Sequence, residues 1–327
     1  EPEPYSPSYA TTPSGVGPYS GSEPEPYSPS YATTPSGVGP YSGSEPEPYS
    51  PSYATTPSGV GPRPQVSGCL LALKLVNAQY SGPILRIKRS SDNQEIDLYD
   101  GFESSYSSLV TGTDVGYVIT WYDQSGNGNH ATTDGLSDAN KPILKPEPAL
   151  DFSEPRYMKL PNGTIPYGDS SYTIITKHGQ LTRPSRAFPN NAVNLWYSGL
   201  TNGNANTTNS LQVRGTYSNF WMVNDFQFGA SSMTPASVPA SSGTVQPGVV
   251  TVTYSTDTTV RAYLNSTEQS VTNVRSYTGD RNSASTNNYI GYDPRSGNTR
   301  YAGGDMYQLF VFDTVLSDTD RIAYENI

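Results

Sequence analysis

From Cys69 onward the apolar residues fall into short runs bounded by Gly, Asn, Asp or Ser, and several runs alternate strictly with polar residues. The segments ILRIKR (84–89), VVTVTY (249–254) and VRAYLN (260–265) have this period of two, the mark of strands with one face buried. Less regular runs of the same length also predict strands: LLALKLV (70–76), YVITWY (117–122), YTIIT (172–176), NLWYSG (194–199), FWMVND (220–225), YIGYD (289–293) and MYQLFVFD (306–313). Helical spacing is confined to Ser104–Val110 and Ser317–Asn326, the latter opening on a serine N-cap followed by acidic residues. So many short strands with so few helices predict an all-β chain, an antiparallel β-sandwich in which two sheets face each other.

No such pattern exists before residue 63. The first 62 residues are one 22-residue unit, EPEPYSPSYATTPSGVGPYSGS, beginning at Glu1, Glu23 and, truncated, at Glu45, without a substitution between copies. Proline spacing such as Pro2, Pro4 and Pro7 favours an extended polyproline strap, because each ring fixes φ and pushes its predecessor out of the helical region. Lacking Leu, Ile, Lys and Arg, the strap cannot build a core. Its large apolar surface consists of tyrosines at Tyr5, Tyr9, Tyr19, Tyr27, Tyr31, Tyr41, Tyr49 and Tyr53, whose fixed period suits docking into grooves between subunits. The organisation read from the sequence is therefore an extended repeat over 1–62 and a folded domain over 63–327.

Charge narrows the partners. The chain has 29 acidic and 19 basic residues, a net of −10; six glutamates fall in the strap, leaving 23 acidic and 19 basic, or −4, for the domain. Without a basic cluster, neither nucleic acid nor an anionic membrane surface is an expected partner, and no apolar run is long enough to insert into a membrane. A single cysteine, Cys69, cannot form an internal disulfide and reads as a small buried hydrophobe in GCLLALKLV. Sequons at Asn162, Asn206 and Asn265, with strap hydroxyls such as Ser6, Thr11 and Thr12, are candidate glycosylation sites. Together with a first residue that is Glu instead of Met, they point to an extracellular or cell-surface protein.

In YVITWYDQSGNGNHAT (117–132), Asp123 is placed to accept amide protons of the following turn while Gly126 and Gly128 supply left-handed backbone. A structural role for this turn outweighs a catalytic one. A calcium site joining Asp123 to Asp92 lacks the dense acidic run such sites need, so no metal and no cofactor is expected. Trp196, Trp221 and Tyr292, with Tyr197, are candidates for stacking sugar rings, although LWY and FWM also read as inward strand faces.

The pair AQYSGPILRIKRSSDNQEIDL (78–98) and YVITWYDQSGNGNHAT resembles the catalytic-domain family of fungal α-L-arabinofuranosidase B, and the later strands look like the wider laminin-G and concanavalin-like fold. The resemblance spans about residues 65–327 and implies a jelly-roll sandwich related to sugar-binding and sugar-cleaving domains. That family carries its acid as an aspartate after an Ile-Gly pair, matched here by Asp293 in YIGYD, and its nucleophile as a glutamate on a central strand, where NSLQVRG offers Gln212. The glutamates Glu147, Glu154 and Glu268 lie in other strands or loops, and the family's several cysteines are absent. A neutral amide cannot act as the nucleophile of a retaining glycosidase, so a non-catalytic relative is expected, with Asp293 and Gln212 as vestiges.

Joining strap and sandwich, the sequence reads as a structural subunit of an extracellular glycoprotein fibre, a homo-polymer held through the strap. The alternative is a secreted carbohydrate-binding or adhesive protein with glycan partners; an α-L-arabinofuranosidase-type hydrolase is the third reading.

Overall fold

The unbroken apolar run that opens the folded part is explained by burial on both faces. In the strand Cys69–Ala72, Cys69 and Leu71 enter one hydrophobic core while Leu70 and Ala72 enter another. The same partition runs through its neighbours: Ile174, Leu309 and Val311 face the first core, and Ile175, Phe310 and Phe312 the second. A strand covered on both sides has no reason to alternate.

These positions come from a computed structural model, which describes residues 68–166, 170–182, 193–199, 208–214, 220–225, 229–233, 244–255, 259–273, 287–294 and 300–327, with side chains undescribed over 208–233, 272–273 and at 199, 244 and 300. The chain divides into two units, Glu1–Tyr53 and Ala54–Ile327, and every described residue belongs to the second. The strap's tyrosines, Ser6, Thr11, Thr12 and Asn206 therefore lie outside the described residues.

Every ladder among the described residues is antiparallel, and the strands form two facing layers. In the first the order is Cys69–Ala72, Gly304–Phe312, Tyr172–Thr182, Gly248–Tyr254, Val260–Leu264 and Thr267–Gln269. In the second it is Glu95–Leu98, Leu85–Arg89, Gly116–Trp121, Ala131–Thr132, Met158–Leu160, Asn287–Ile290, Val193–Gly199, Thr208–Arg214, Phe220–Asp225, Gly229–Met233 and Val271–Asn273. Two short strands, Ile143–Leu144 and Leu150–Asp151, carry the hydrogen bonding from one layer to the other. The main core lies between the layers, where Leu71, Ile174, Val250 and Leu309 meet Leu85, Ile87, Val118, Trp121, Met158, Trp196 and Ile290. This is the all-β sandwich that the alternation predicted.

Both predicted helical segments form. Helix α1 is Glu103–Leu109 and helix α2 is Asp318–Glu325. Ser317 caps α2, its Oγ accepting the Asp320 N–H at 3.1 Å, and the acidic first turn favours the positive end of the helix. Tyr324 and the flanking Leu316 and Ile327 cover the outer face of the first sheet and close the second core. Beneath the helix Arg321 bonds Glu325 at 2.8 Å, both side chains buried, and lies 3.7 Å from the Tyr263 ring centroid.

One predicted strand is shorter than its apolar run. LLALKLV leaves the ladder after Ala72 because the Gln124 side chain takes over its backbone groups, donating to Lys74 O at 2.9 Å and accepting from Val76 N–H at 2.8 Å.

Candidate functional site

The DQSGNGNH turn is an anchor for the first strand. Asp123 is buried; its Oδ1 accepts from Leu70 N–H at 2.8 Å and Ser125 N–H at 2.9 Å, and its Oδ2 from Ser125 Oγ at 2.7 Å and Asn129 N–H at 3.0 Å. The Asn129 side chain donates to Gly68 O at 2.7 Å, and Gly126 and Gly128 take positive φ as their place in the turn requires. Asp123 accepts from four donors, and Arg89 is bonded to both oxygens of Asp92; among the described residues no three acidic, His or Cys side chains gather as metal ligands. Cys69 is buried, and burial pushes its thiol well above the ordinary range, as for a packed hydrophobe.

The second cluster is built by an irregularity. The strand Val193–Gly199 carries a β-bulge at Leu195: Asn194 faces Gln212 across the ladder and Trp196 faces Leu211. The extra residue turns both Leu195 and Trp196 into the main core and leaves Asn194 and Tyr197 on the outer face. Trp196 is 0% exposed, so its expected role as a sugar-stacking ring is corrected: it is a core residue. Tyr197 is equally enclosed, packed toward Tyr289 at 6.3 Å. Trp221 faces Val213 and Met233 in its ladders, while its neighbour Met222 faces Gln212, so alternation puts the Trp221 position on the opposite face from Gln212. The side chains of Gln212 and Trp221 are outside the described set.

On that outer face the tyrosines converge. Tyr292 stacks on Tyr157 at 4.4 Å and on Tyr301 at 5.3 Å, and Tyr289 meets Tyr292 edge-on at 5.3 Å and Tyr157 at 5.8 Å. Tyr157, Tyr289, Tyr292 and Tyr301 are all partly exposed. Burial, reinforced by Tyr301, Tyr157, Tyr289 and Asp293, pushes the Tyr292 phenol up to about 12, so the cluster presents neutral hydroxyls. Of the sequence candidates only Tyr292 belongs to this platform. Tyr289 opens the YIGYD motif that also holds Tyr292, whereas Tyr157 and Tyr301 lie on separate segments with no motif to join them to it.

The YIGYD motif has a steric cause. Gly291 sits at φ +77°, and a Cβ there would lie 2.5 Å from Phe152 Cδ1, so only glycine lets the chain leave Asn287–Ile290 and re-pair Tyr292 and Asp293 with Tyr301 and Arg300. Gly291 N–H donates to Leu195 O at 2.9 Å, and Asn194 Nδ2 donates to Tyr292 O at 3.1 Å. Asp293 is fully buried at this junction. The fold therefore brings the Tyr292–Asp293 segment to Asn194, which pairs with Gln212 in the ladder. Asn194 is buried, and its Oδ1 has no hydrogen-bond partner among the described residues.

Two sequons are described. Asn162 is exposed in a turn, with the hydroxyl of Thr164 bonded to Pro161 O at 2.8 Å. Asn265 is also exposed but occupies a left-handed turn with Ser266, φ 49° and 65°, and its Oδ1 accepts from Val249 N–H at 2.9 Å.

No protein-family model matches this sequence, and no curated protein is similar to it in sequence. Solved structures do match. An arabinofuranosidase complexed with arabinofuranosyl-α-1,2-xylobiose superposes with TM-score 0.52 at 14% identity, covering 80% of this chain and 61% of that one. A GH54 α-L-arabinofuranosidase soaked with a cyclic sulfate inhibitor gives TM-score 0.50 at 15% identity, covering 80% of this chain and 62% of that one. The present chain thus spans less than two thirds of those proteins. Among its described residues no helix is long and apolar enough to cross a membrane. At this level of identity the likeness is one of fold, and the chain has the β-sandwich fold of the GH54 α-L-arabinofuranosidases, the family its sequence motifs resemble.

Proposed function

We propose that the folded domain, residues 63–327, is an extracellular glycan-binding β-sandwich without hydrolytic activity. The observation that carries this reading is the partly exposed tyrosine platform beside Asp293 and Asn194, on the outer face that also holds the Gln212 position. Aromatic faces with a few fixed polar groups are what sugar rings need: the ring C–H face packs on the aromatic and the hydroxyls find hydrogen-bond partners. Retaining hydrolysis needs a second carboxyl about 5 Å from the acid, and the matched ladder position offers an amide. The test is calorimetric titration with arabinan- and xylan-derived saccharides alongside an assay on 4-nitrophenyl α-L-arabinofuranoside. Binding that weakens about tenfold in Tyr292→Ala, with no turnover, supports the reading. Turnover abolished by Asp293→Ala would overturn its non-catalytic part.

A second reading rests on the repeat: three copies of a unit that cannot fold alone suit a structural subunit that polymerises through its strap into an extracellular fibre. Its tyrosines would dock on neighbouring copies, and glycans at Asn162, Asn206, Asn265 or strap hydroxyls such as Ser6, Thr11 and Thr12 would solvate the surface. Deleting residues 1–62 should leave a folded monomer; filaments of unchanged form from the truncated chain would reduce the strap to a spacer. Intact mass of native material equal to the bare 35.2 kDa polypeptide would remove the glycoprotein element.

A further inference from the structure

The tyrosine platform does not end at its own strands. Ladder register carries the same outer face across the sheet: Tyr289 pairs with Lys159, Lys159 with Thr132, and Thr132 with Thr120. The residues beside them on the strands, Ile290, Met158, Ala131 and Trp121, are all buried in the core, which fixes the opposite set as outward; Lys159, Thr132 and Thr120 are each partly exposed. Two residues further along, on the same face by alternation, stand Tyr122 and His130, whose rings meet edge to face at 5.1 Å. In this second aromatic station His130 lies two strand spacings and two residues from Tyr289, about 12 Å, and Tyr122 three spacings and two residues, about 16 Å, both further than one sugar ring reaches.

The polar groups between and around the two stations are hydroxyls, one guanidinium–carboxylate pair, one imidazole and one lysine ammonium that is bonded to a backbone carbonyl. Arg86 holds Asp97 through two bonds of 2.8 Å, Tyr122 OH donates to Asp97 Oδ1 at 3.2 Å, and Lys159 Nζ donates to Asp134 O at 2.8 Å. His130 Nδ1 accepts from Asp123 N–H at 2.9 Å, which places the ring's proton on Nε2 of this partly exposed residue. A strip of hydroxyls with one ion pair, a single lysine and one imidazole donor between two aromatic stations matches an uncharged, hydroxyl-rich chain better than a polymer charged at every residue or an apolar peptide.

We infer that the bound glycan is a linear, neutral oligosaccharide running from the Tyr157–Tyr289–Tyr292 platform across Lys159 and Thr132 to Tyr122 and His130. This rests on the glycan-binding reading above and adds the length and direction of the ligand. The test is titration of the intact protein with neutral arabinan- and xylan-derived oligosaccharides, from disaccharide to octasaccharide. Affinity should rise with chain length until both stations are spanned, then level off. Tyr122→Ala removes the second station, and Thr132→Trp blocks the strip from a partly exposed position without touching the core. Both should leave disaccharide binding unchanged and abolish a gain of about tenfold for the longer chains. Disaccharide binding with no gain from length, or a gain that survives both substitutions, overturns the inference and leaves the glycan-binding reading standing. Absence of binding at every length overturns both.

Discussion

Acid should destabilise this protein through one residue, His178. It lies on the strand Tyr172–Thr182 with 1% exposure, opposite Gly248 in one ladder and Met306 in the other. Burial lowers its pKa from 6.5 to about 4, the 2.7 Å contact of Nδ1 with Gly179 O offsetting part of that shift. The neutral ring donates Nδ1–H to this carbonyl. Because the folded pKa is depressed, the unfolded chain binds a proton that the folded chain refuses between pH 6.5 and about 4. Stability is therefore complete above 6.5 and falls as pH drops through that window, levelling where the native ring also protonates. The difference of about 2.5 pH units is worth about 3 kcal/mol in all. The check is guanidinium denaturation of wild type and His178→Gln at about pH 7 and about pH 4.5; both proteins share the same carboxylates, so the difference between them isolates the ring. The wild type should lose about 2–3 kcal/mol more than the variant between the two conditions. Equal losses would refute the argument, whatever the variant's stability at neutral pH.

Further outcomes follow from the Asp123 anchor, the Ser317 cap, Trp196 and the Asp293 segment. Asp123→Ala strips an acceptor from the buried Leu70 N–H and from the turn amides, and should cost about 3 kcal/mol, with faster amide exchange at Leu70 as its local signature. Ser317→Ala removes the N-cap of α2 and should cost about 1 kcal/mol by thermal or chemical denaturation. Trp196→Ala empties part of the main core and should cost about 3–5 kcal/mol without selectively weakening saccharide binding; a selective binding defect in a stable variant would contradict its core assignment. Gln212→Glu restores a carboxylate to the ladder position opposite Asn194, and weak turnover of 4-nitrophenyl α-L-arabinofuranoside that requires Asp293 would support the inherited geometry.

Alternation made most of the fold legible. VVTVTY and VRAYLN fall on the strands their period predicts, and the capped Ser317 segment is a helix. Where pattern and structure part, a specific interaction accounts for it. LLALKLV stops being a strand at Ala72 because Gln124, 48 residues from Val76 (124 − 76), supplies the hydrogen bonds a neighbouring strand would otherwise provide. In NLWYSG the bulge at Leu195 turns two consecutive apolar residues inward, so the tryptophan that reads as a sugar platform is core. A bulge depends on what the partner strands demand, and nothing within six residues encodes it.

The sequence by itself determined the sandwich class and the rigid glycine turn after Asp123, because each depends on local backbone chemistry or on a contiguous motif. Only the tertiary structure decided which aromatic side chains meet. Tyr157, Tyr289, Tyr292 and Tyr301 are polar enough to sit anywhere on a surface, and their convergence follows from strand order and from Gly291, whose missing Cβ lets the chain turn against Phe152. The continuous outer strip from Tyr289 to Tyr122 likewise exists only through register, since pairing between strands distant in sequence sets which side chains share a row.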